Sequence, residues 1–292
     1  MSTTVAVIGS GAVAGLVVGW LDLAGAPPVG LCARTPVAGF TITGDGAGGG
    51  GVRTVAVHPA PTQPVDWVLL TVKAQDTAAT RPWLDTLLGP DTVVVVLQNG
   101  VDHLERVQPL VGDVAMLPAL VFAAAERTSP GAITHHLGNQ LVVPQCPVAG
   151  CFADLLAGGV SVHQDPDFTT AAWRKLMMNV AANTITALTQ RRAEVLRSPE
   201  MRQLCRTLLE EAVLAGQSTG ARLGPADVDF VLGVYDSYPE DNGSSMYYDR
   251  LAGRPLEHEL IPGAVVRAAE RAGVAVPVTH AIWALTKAVS GT

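Results

Sequence analysis

Apolar residues in the first half of the chain come in short, unbroken runs. Residues 5–8, 29–33, 52–57, 67–72 and 92–97 are rich in Val and Leu and carry little polar alternation. Such runs suit strands buried on both faces of a parallel sheet. Helix-length stretches lie between several of them, as at residues 74–88. The alternation predicts a doubly wound α/β domain. Residues 131–143 read as two short strands turning at Gly138-Asn139, a hairpin near the end of this domain, and residues 160–163 as a last strand. Residues 45–51, DGAGGGG, have no apolar periodicity and read as a flexible loop. After about residue 166 the strand-like runs stop. Residues 168–188, 199–217, 226–238, 257–272 and 277–289 carry apolar positions at helical spacing, and Pro199 and Pro277 suit helix first turns. The expected division is an α/β domain over residues 1–166 and an all-α domain over residues 167–292.

Composition narrows the function. Hydrophobic residues make up 48% of the 292 residues and charged ones 15%, which excludes a disordered chain. Nineteen Lys and Arg stand against 26 Asp and Glu, for a net charge of -7. That balance argues against a basic face for nucleic acid or a membrane surface. The apolar run over residues 5–21 is interrupted by Gly9, Gly11, Gly15 and Gly19, and no basic residue precedes it. It fits neither a membrane span nor a signal peptide. The expected partners therefore include no nucleic acid and no membrane. Cys32, Cys146, Cys151 and Cys205 form no CxxC pair and have no His at zinc spacing, so they read as reduced thiols of a cytoplasmic protein without a metal site. His135 and His136 are adjacent on a strand-like run and point to opposite faces, so they are not a ligand pair. Asp236, Glu240 and Asp241, like Arg191 and Arg192, read as solvated helix ends, and Trp173 as a packing anchor.

The first apolar run leads into Gly9-Ser10-Gly11-Ala12-Val13-Ala14, the G-x-G-x-x-A form of the dinucleotide fingerprint. Gly9 permits the tight turn, Gly11 lets a pyrophosphate approach the backbone, and Ala14 lets helix and strand pack closely. The helix start offers free N–H groups to phosphate. Its place after a strand and before a helix makes the first domain Rossmann-type and assigns Gly9, Ser10, Gly11, Ala12 and Val13 to cofactor binding. An NAD site would put a carboxylate about 20 residues on, at the end of the second strand. Here that strand ends Cys32-Ala33-Arg34-Thr35, and Arg34 has the planar fork that pairs with a 2′-phosphate. The expected cofactor is NADP(H).

In the helical half, Lys175, Asn179 and Asn183 are spaced i, i+4, i+8 within the apolar stretch WRKLMMNVAAN. On a helix they form one stripe. It is either a solvated face or a set of groups that meet partners, since unpartnered polar groups in so apolar a helix are costly. Reduction of a ketone by hydride builds negative charge on oxygen. A lysine beside that oxygen stabilises the charge and supplies the proton.

The chain resembles the ketopantoate reductase (2-dehydropantoate 2-reductase) family over nearly its whole length. The matching pieces, in the family's order, are GSGAVA from Gly9, Ala33-Arg34, TVKAQD from Thr71, QNG from Gln98, PGAITH from Pro130, WRKLMMNVAAN from Trp173, SSMYYD from Ser244, and GRPLEHELIPG from Gly253. The resemblance implies NADPH-dependent reduction of a small 2-oxo acid, 2-dehydropantoate to pantoate. It implies Lys175 as general acid and Glu257 as a second catalytic residue. Asn99, Asn179, Asn183 and Ser245 match substrate-binding positions. Lys73, Arg34 and Asn99 match the cofactor side, and Asp249 a supporting acidic residue. Pro262 departs from an asparagine common in the family and cannot supply that side chain, which leaves a different 2-oxo acid open as substrate. A non-catalytic NADP-binding sensor is the reading from another class, and the retained Lys175, Asn179, Asn183, Ser245 and Glu257 argue against it. The Ala- and Val-rich helices are compatible with a homodimer face as well as with core.

Overall fold

The computed structural model describes residues 3–44 and 51–291, and forms two compact units: residues 1–98 with 102–168, and residues 99–101 with 169–292. The expected loop at residues 45–51 falls outside the described residues, apart from Gly51.

The first unit begins with β1 (Val5–Ile8), α1 (Ala12–Leu23), β2 (Val29–Cys32), β3 (Gly39–Gly44), β4 (Gly51–Ala56) and β5 (Trp67–Leu70). A 3-10 turn (Ala74–Thr80), α2 (Arg81–Leu87), β6 (Val93–Val96), α3 (His103–Val111) and β7 (Ala115–Pro118) follow. It ends with β8 (Leu120–Ser129), β9 (Ala132–Pro144), α4 (Pro147–Leu155) and β10 (Ser161–Asp165). Five strands form an all-parallel sheet in the order β2-β1-β5-β6-β7. The period of two along each strand sorts its side chains. Val5, Val7, Leu69, Val95 and Leu117 pack in one cluster with Leu16, Val17, Val18 and Trp20 of α1. Ala6, Ile8, Val68, Leu70, Val94 and Val96 pack in another with Leu84 and Leu87 of α2 and Val107 and Val111 of α3. Burial on both faces is why these strands read as continuous apolar runs.

A second sheet, β10-β9-β3-β4 with β8 paired to β9, shares the α1 side. A Cβ at Gly15 or Gly19 of α1 would lie 2.4 Å from an Ile133 or Ile42 side-chain carbon, so the two glycines allow α1 to press on this sheet. Three expected elements differ in this unit. The run at residues 52–57 forms β4, antiparallel to β3 rather than in the parallel sheet; Val55 is buried, but Val52 is 72% exposed. Residues 131–143 do not turn at Gly138. Residues 132–144 form one strand, β9, and the hairpin reverses at Pro130-Gly131 between β8 and β9. Gly138, at φ +79°, sits where the β8–β9 register shifts. The stretch at residues 74–88 is not one helix: it divides ahead of Pro82, which occupies the first turn of α2.

The second unit holds α5 (Phe168–Thr189), a 3-10 turn (Ala193–Arg197), α6 (Pro199–Ser218), α7 (Pro225–Ser237), α8 (Ser245–Leu251), α9 (Pro262–Ala272) and α10 (Pro277–Ala288). They share one apolar core, in which Trp173 is 2% exposed. The acidic stretch meets arginines, with Arg202 on Asp236 and Arg197 on Glu240. Buried Glu211 of α6 holds the start of α10, accepting from Val278 N at 3.0 Å and from Thr279 N and Oγ1 at 2.6 Å. The periodicity from residue 257 overextends α9, which starts at Pro262, where the missing N–H costs nothing. No helix among the described residues is long and apolar enough to cross a membrane.

Candidate active site

In the parallel sheet Ile8 lies opposite Cys32 and Leu70, so β1, β2 and β5 end level. Gly9, Arg34 and Lys73 thus follow the carboxyl ends of three adjacent strands, where open α/β sheets bind ligands. Gly9 has φ +128°, and a Cβ there would lie 2.6 Å from Thr71 Oγ1. The turn therefore requires glycine. Gly11 is the N-cap of α1 and supplies no capping side chain; a Cβ on it would meet nothing within 4 Å. Ser10, Gly11, Ala12 and Val13 are half-buried around this open space. The first turn of α1 carries no side-chain cap, and the space beside Gly11 is open, which fits a dinucleotide pyrophosphate at the helix start. Arg34 is exposed beyond β2 and pairs with Asp76 at 3.4 Å. Lys73 is half-buried in extended backbone just before the 3-10 turn, and its carbonyl accepts from Asp76 N at 2.8 Å. An exposed guanidinium thus follows β2, and the carboxylate beside it comes from Asp76 rather than from the end of the strand.

The helical unit contains a second constellation. The α5 stripe is not a solvated face: Asn183 is 6% exposed, and Lys175 and Asn179 are half-buried. Burial lowers the Lys175 ammonium from its ordinary pKa of 10.5 to about 8, while the Glu257 carboxylate pulls the other way. Glu257 is buried in the segment leading into α9, and its Oε2 accepts from Asn99 Nδ2 at 3.1 Å. Residues 99–101 follow β6 in sequence but belong to this unit. Asn99, Glu257 and Lys175 are therefore one electrostatically linked group. Further along α5, Asn183 Nδ2 donates to Ser245 Oγ at 3.4 Å. Ser245 is the first residue of α8 and is exposed. Asp249 is buried and ion-paired with Arg254 at 2.9 Å, also accepting from the Arg254 N–H at its carbonyl. It braces α8 against the segment that follows it.

The group offers a cation whose pKa is lowered to about 8, a carboxylate to hold it, and amide and hydroxyl groups for a polar ligand. That inventory suits proton donation to a developing alkoxide. Some contributors are absent from the sequence reading. Gln98 Nε2 donates to Val72 O and Thr77 Oγ1, each at 2.9 Å, and Arg106 Nη2 donates to Gln98 Oε1 at 3.1 Å. These bonds anchor the residue before Asn99. Thr186, three residues after Asn183, bonds Ser244 at 2.7 Å. Its helical offset placed it on the correct side of α5, but nothing in the sequence paired it with residue 244.

Comparison with known proteins places the chain in a family. The family model described as ketopantoate reductase PanE/ApbA matches residues 5–147, and its C-terminal counterpart matches residues 167–290. A 2-dehydropantoate 2-reductase from Mycobacterium tuberculosis is 42% identical over 294 residues, covering 99% of each chain. One from Caulobacter vibrioides is 37% identical over 293 residues, again with 99% of each covered. A dimeric ketopantoate reductase from Staphylococcus aureus superposes with a TM-score of 0.89 at 27% identity, covering 98% of both chains. With both family models matched in order and a relative of that identity along the full chain, the chain belongs to the ketopantoate reductase family of oxidoreductases.

Proposed function

We propose that the protein reduces 2-dehydropantoate to pantoate with NADPH, and that Lys175 is the general acid. The observation that carries the reading is the Lys175–Glu257–Asn99 group on and beside the α5 stripe. NADPH, when bound, supplies a hydride to the carbonyl carbon. Lys175 gives the proton that the carbonyl oxygen takes up, and the product is a secondary alcohol. A lysine near pKa 8 is still mostly protonated at neutral pH, yet gives up its proton more readily than one at 10.5. Glu257 keeps it charged in a buried setting, and Asn99 keeps Glu257 in place. Asn179, Asn183 and Ser245 hold the substrate's polar groups, with exposed Ser245 receiving the carboxylate. Gly9 to Val13 cradle the pyrophosphate, Arg34 receives the 2′-phosphate end, and Lys73, just after the carboxyl end of β5, serves the cofactor side. The S. aureus relative favours a homodimer.

The test is NADPH oxidation with 2-dehydropantoate beside a panel of other 2-oxo acids, with NADH as control. The expected result is turnover selective for NADPH and for 2-dehydropantoate, lost in Lys175→Ala. Faster turnover of another 2-oxo acid would change the substrate. Full activity in Lys175→Ala would remove the general-acid role, and NADPH binding without any turnover would favour a sensor.

A further inference from the structure

We infer that Thr186 and Ser244 are positioning residues that set the place of Ser245 for the substrate carboxylate, a role that rests on the proposed use of Ser245. Thr186 lies on α5, 1% exposed. Its Oγ1 is 2.7 Å from Ala182 O and 2.7 Å from Ser244 Oγ. Ser244 is the N-cap of α8, and its Oγ accepts from Tyr247 N at 3.1 Å. Each hydroxyl has one proton, and the Ala182 carbonyl can only accept. The bonds therefore order themselves: Tyr247 N–H donates to Ser244, Ser244 O–H to Thr186, and Thr186 O–H to Ala182 O. This part-buried rung ties the first turn of α8 to Thr186 and Ala182 of α5, the positions on either side of Asn183.

The rung matters because α8 has seven residues, too short to be stable alone. Ser245 itself is exposed, and its bond from Asn183, at 3.4 Å, is long. The shorter rung beside it fixes where α8 starts, and hence where the Ser245 hydroxyl sits relative to the Asn183 amide. The rung's bonds run to Ala182, Ser244 and Tyr247, on the Ser245 side, so its loss is expected in substrate binding.

Thr186→Val keeps the shape and removes the hydroxyl. The expected effect is a rise in KM for the 2-oxo acid of about three- to tenfold, the worth of one net hydrogen bond. kcat and KM for NADPH should stay within about twofold, the error of such mutant comparisons. Thr186→Ser restores the hydroxyl and should return KM close to wild type. Ser244→Ala should raise KM similarly, and the double variant should cost less than the product of the two single effects. Amide hydrogen exchange at Tyr247 should accelerate in Thr186→Val and in Ser244→Ala. An unchanged KM and unchanged Tyr247 exchange in Thr186→Val would overturn the inference. So would an equal loss in kcat and both KM values, which marks a general packing defect. Ser245→Ala separates the two failures: if it leaves KM unmoved, the carboxylate reading fails; if it raises KM while Thr186→Val does not, only the positioning role fails. Should no 2-oxo acid be turned over, the Tyr247 exchange rates decide whether the rung holds α8.

Discussion

Replacing Glu257 by Gln tests the electrostatics of the site directly. The change keeps the shape of the side chain and an oxygen that can accept from Asn99, and removes only the charge. Lys175 is drawn down to about 8 by burial, with the Glu257 carboxylate opposing that fall. Without the carboxylate the lysine loses the interaction that favours its charged form, so its pKa drops further. An opposite charge in close proximity is worth about 1–3 pH units. In the direction of ketone reduction the acid form is active, so the rate falls as pH rises through the Lys175 pKa. The wild-type alkaline limb of kcat/KM should lie near pH 8. In Glu257→Gln it should move to lower pH by about 1–3 units. A limb near 6 would leave about a tenth of the enzyme protonated at pH 7, a tenfold loss there that is recovered on acidification. The assay is initial-rate NADPH oxidation from acid to alkaline pH, with Lys175→Arg as control. Its guanidinium does not titrate in this range, so whatever rate remains should show no such limb. A limb that stays near 8 in Glu257→Gln, or moves up, would refute the role of Glu257 as the counter-charge.

Three further outcomes are expected. Arg34→Gln should raise KM for NADPH by about 10- to 100-fold, in keeping with loss of a charge-assisted bond, while leaving NADH use unchanged; equal effects on both cofactors would remove the 2′-phosphate assignment. Lys175 binds fewer protons folded than unfolded between pH 8 and 10.5, so its burial costs most below 8 and the cost disappears as pH rises. Denaturant unfolding of wild type relative to Lys175→Met should thus improve by about 3 kcal/mol across that window, at 1.36 kcal/mol per unit, and a flat difference would contradict the depressed pKa. Glu211→Ala removes three bonds at the start of α10 and leaves buried donors behind, so it should cost about 3 kcal/mol or more in urea unfolding, with KM for NADPH unaffected; a loss below about 1 kcal/mol would show that water replaces the carboxylate.

Local chemistry made much of this protein legible from its sequence. The parallel-sheet strands β1, β2, β5 and β6 announced themselves because burial on both faces demands unbroken apolar runs. The turn at Gly9 is required by a positive φ and the closeness of Thr71, so it leaves a fingerprint in the sequence. The α5 stripe followed from helical spacing alone, because Lys175, Asn179 and Asn183 share a face whatever surrounds them. What surrounds them was a tertiary decision. The run at residues 52–57 became a mostly exposed strand in a second sheet, since strand composition does not say which sheet a strand joins. Residues 132–144 stayed one strand because its pairing with β8 absorbs Gly138 as a register shift rather than a turn. Glu257 meets Lys175 from 82 residues away in sequence, and Asn99 meets Glu257 across 158. Thr186 finds Ser244 across 58. No periodicity encodes such pairings. The chain determined its elements and its chemical inventory through short-range sterics and side-chain period, while only the folded arrangement, by excluding water around Lys175 and closing those long separations, set the lysine's acidity and the partners that hold it.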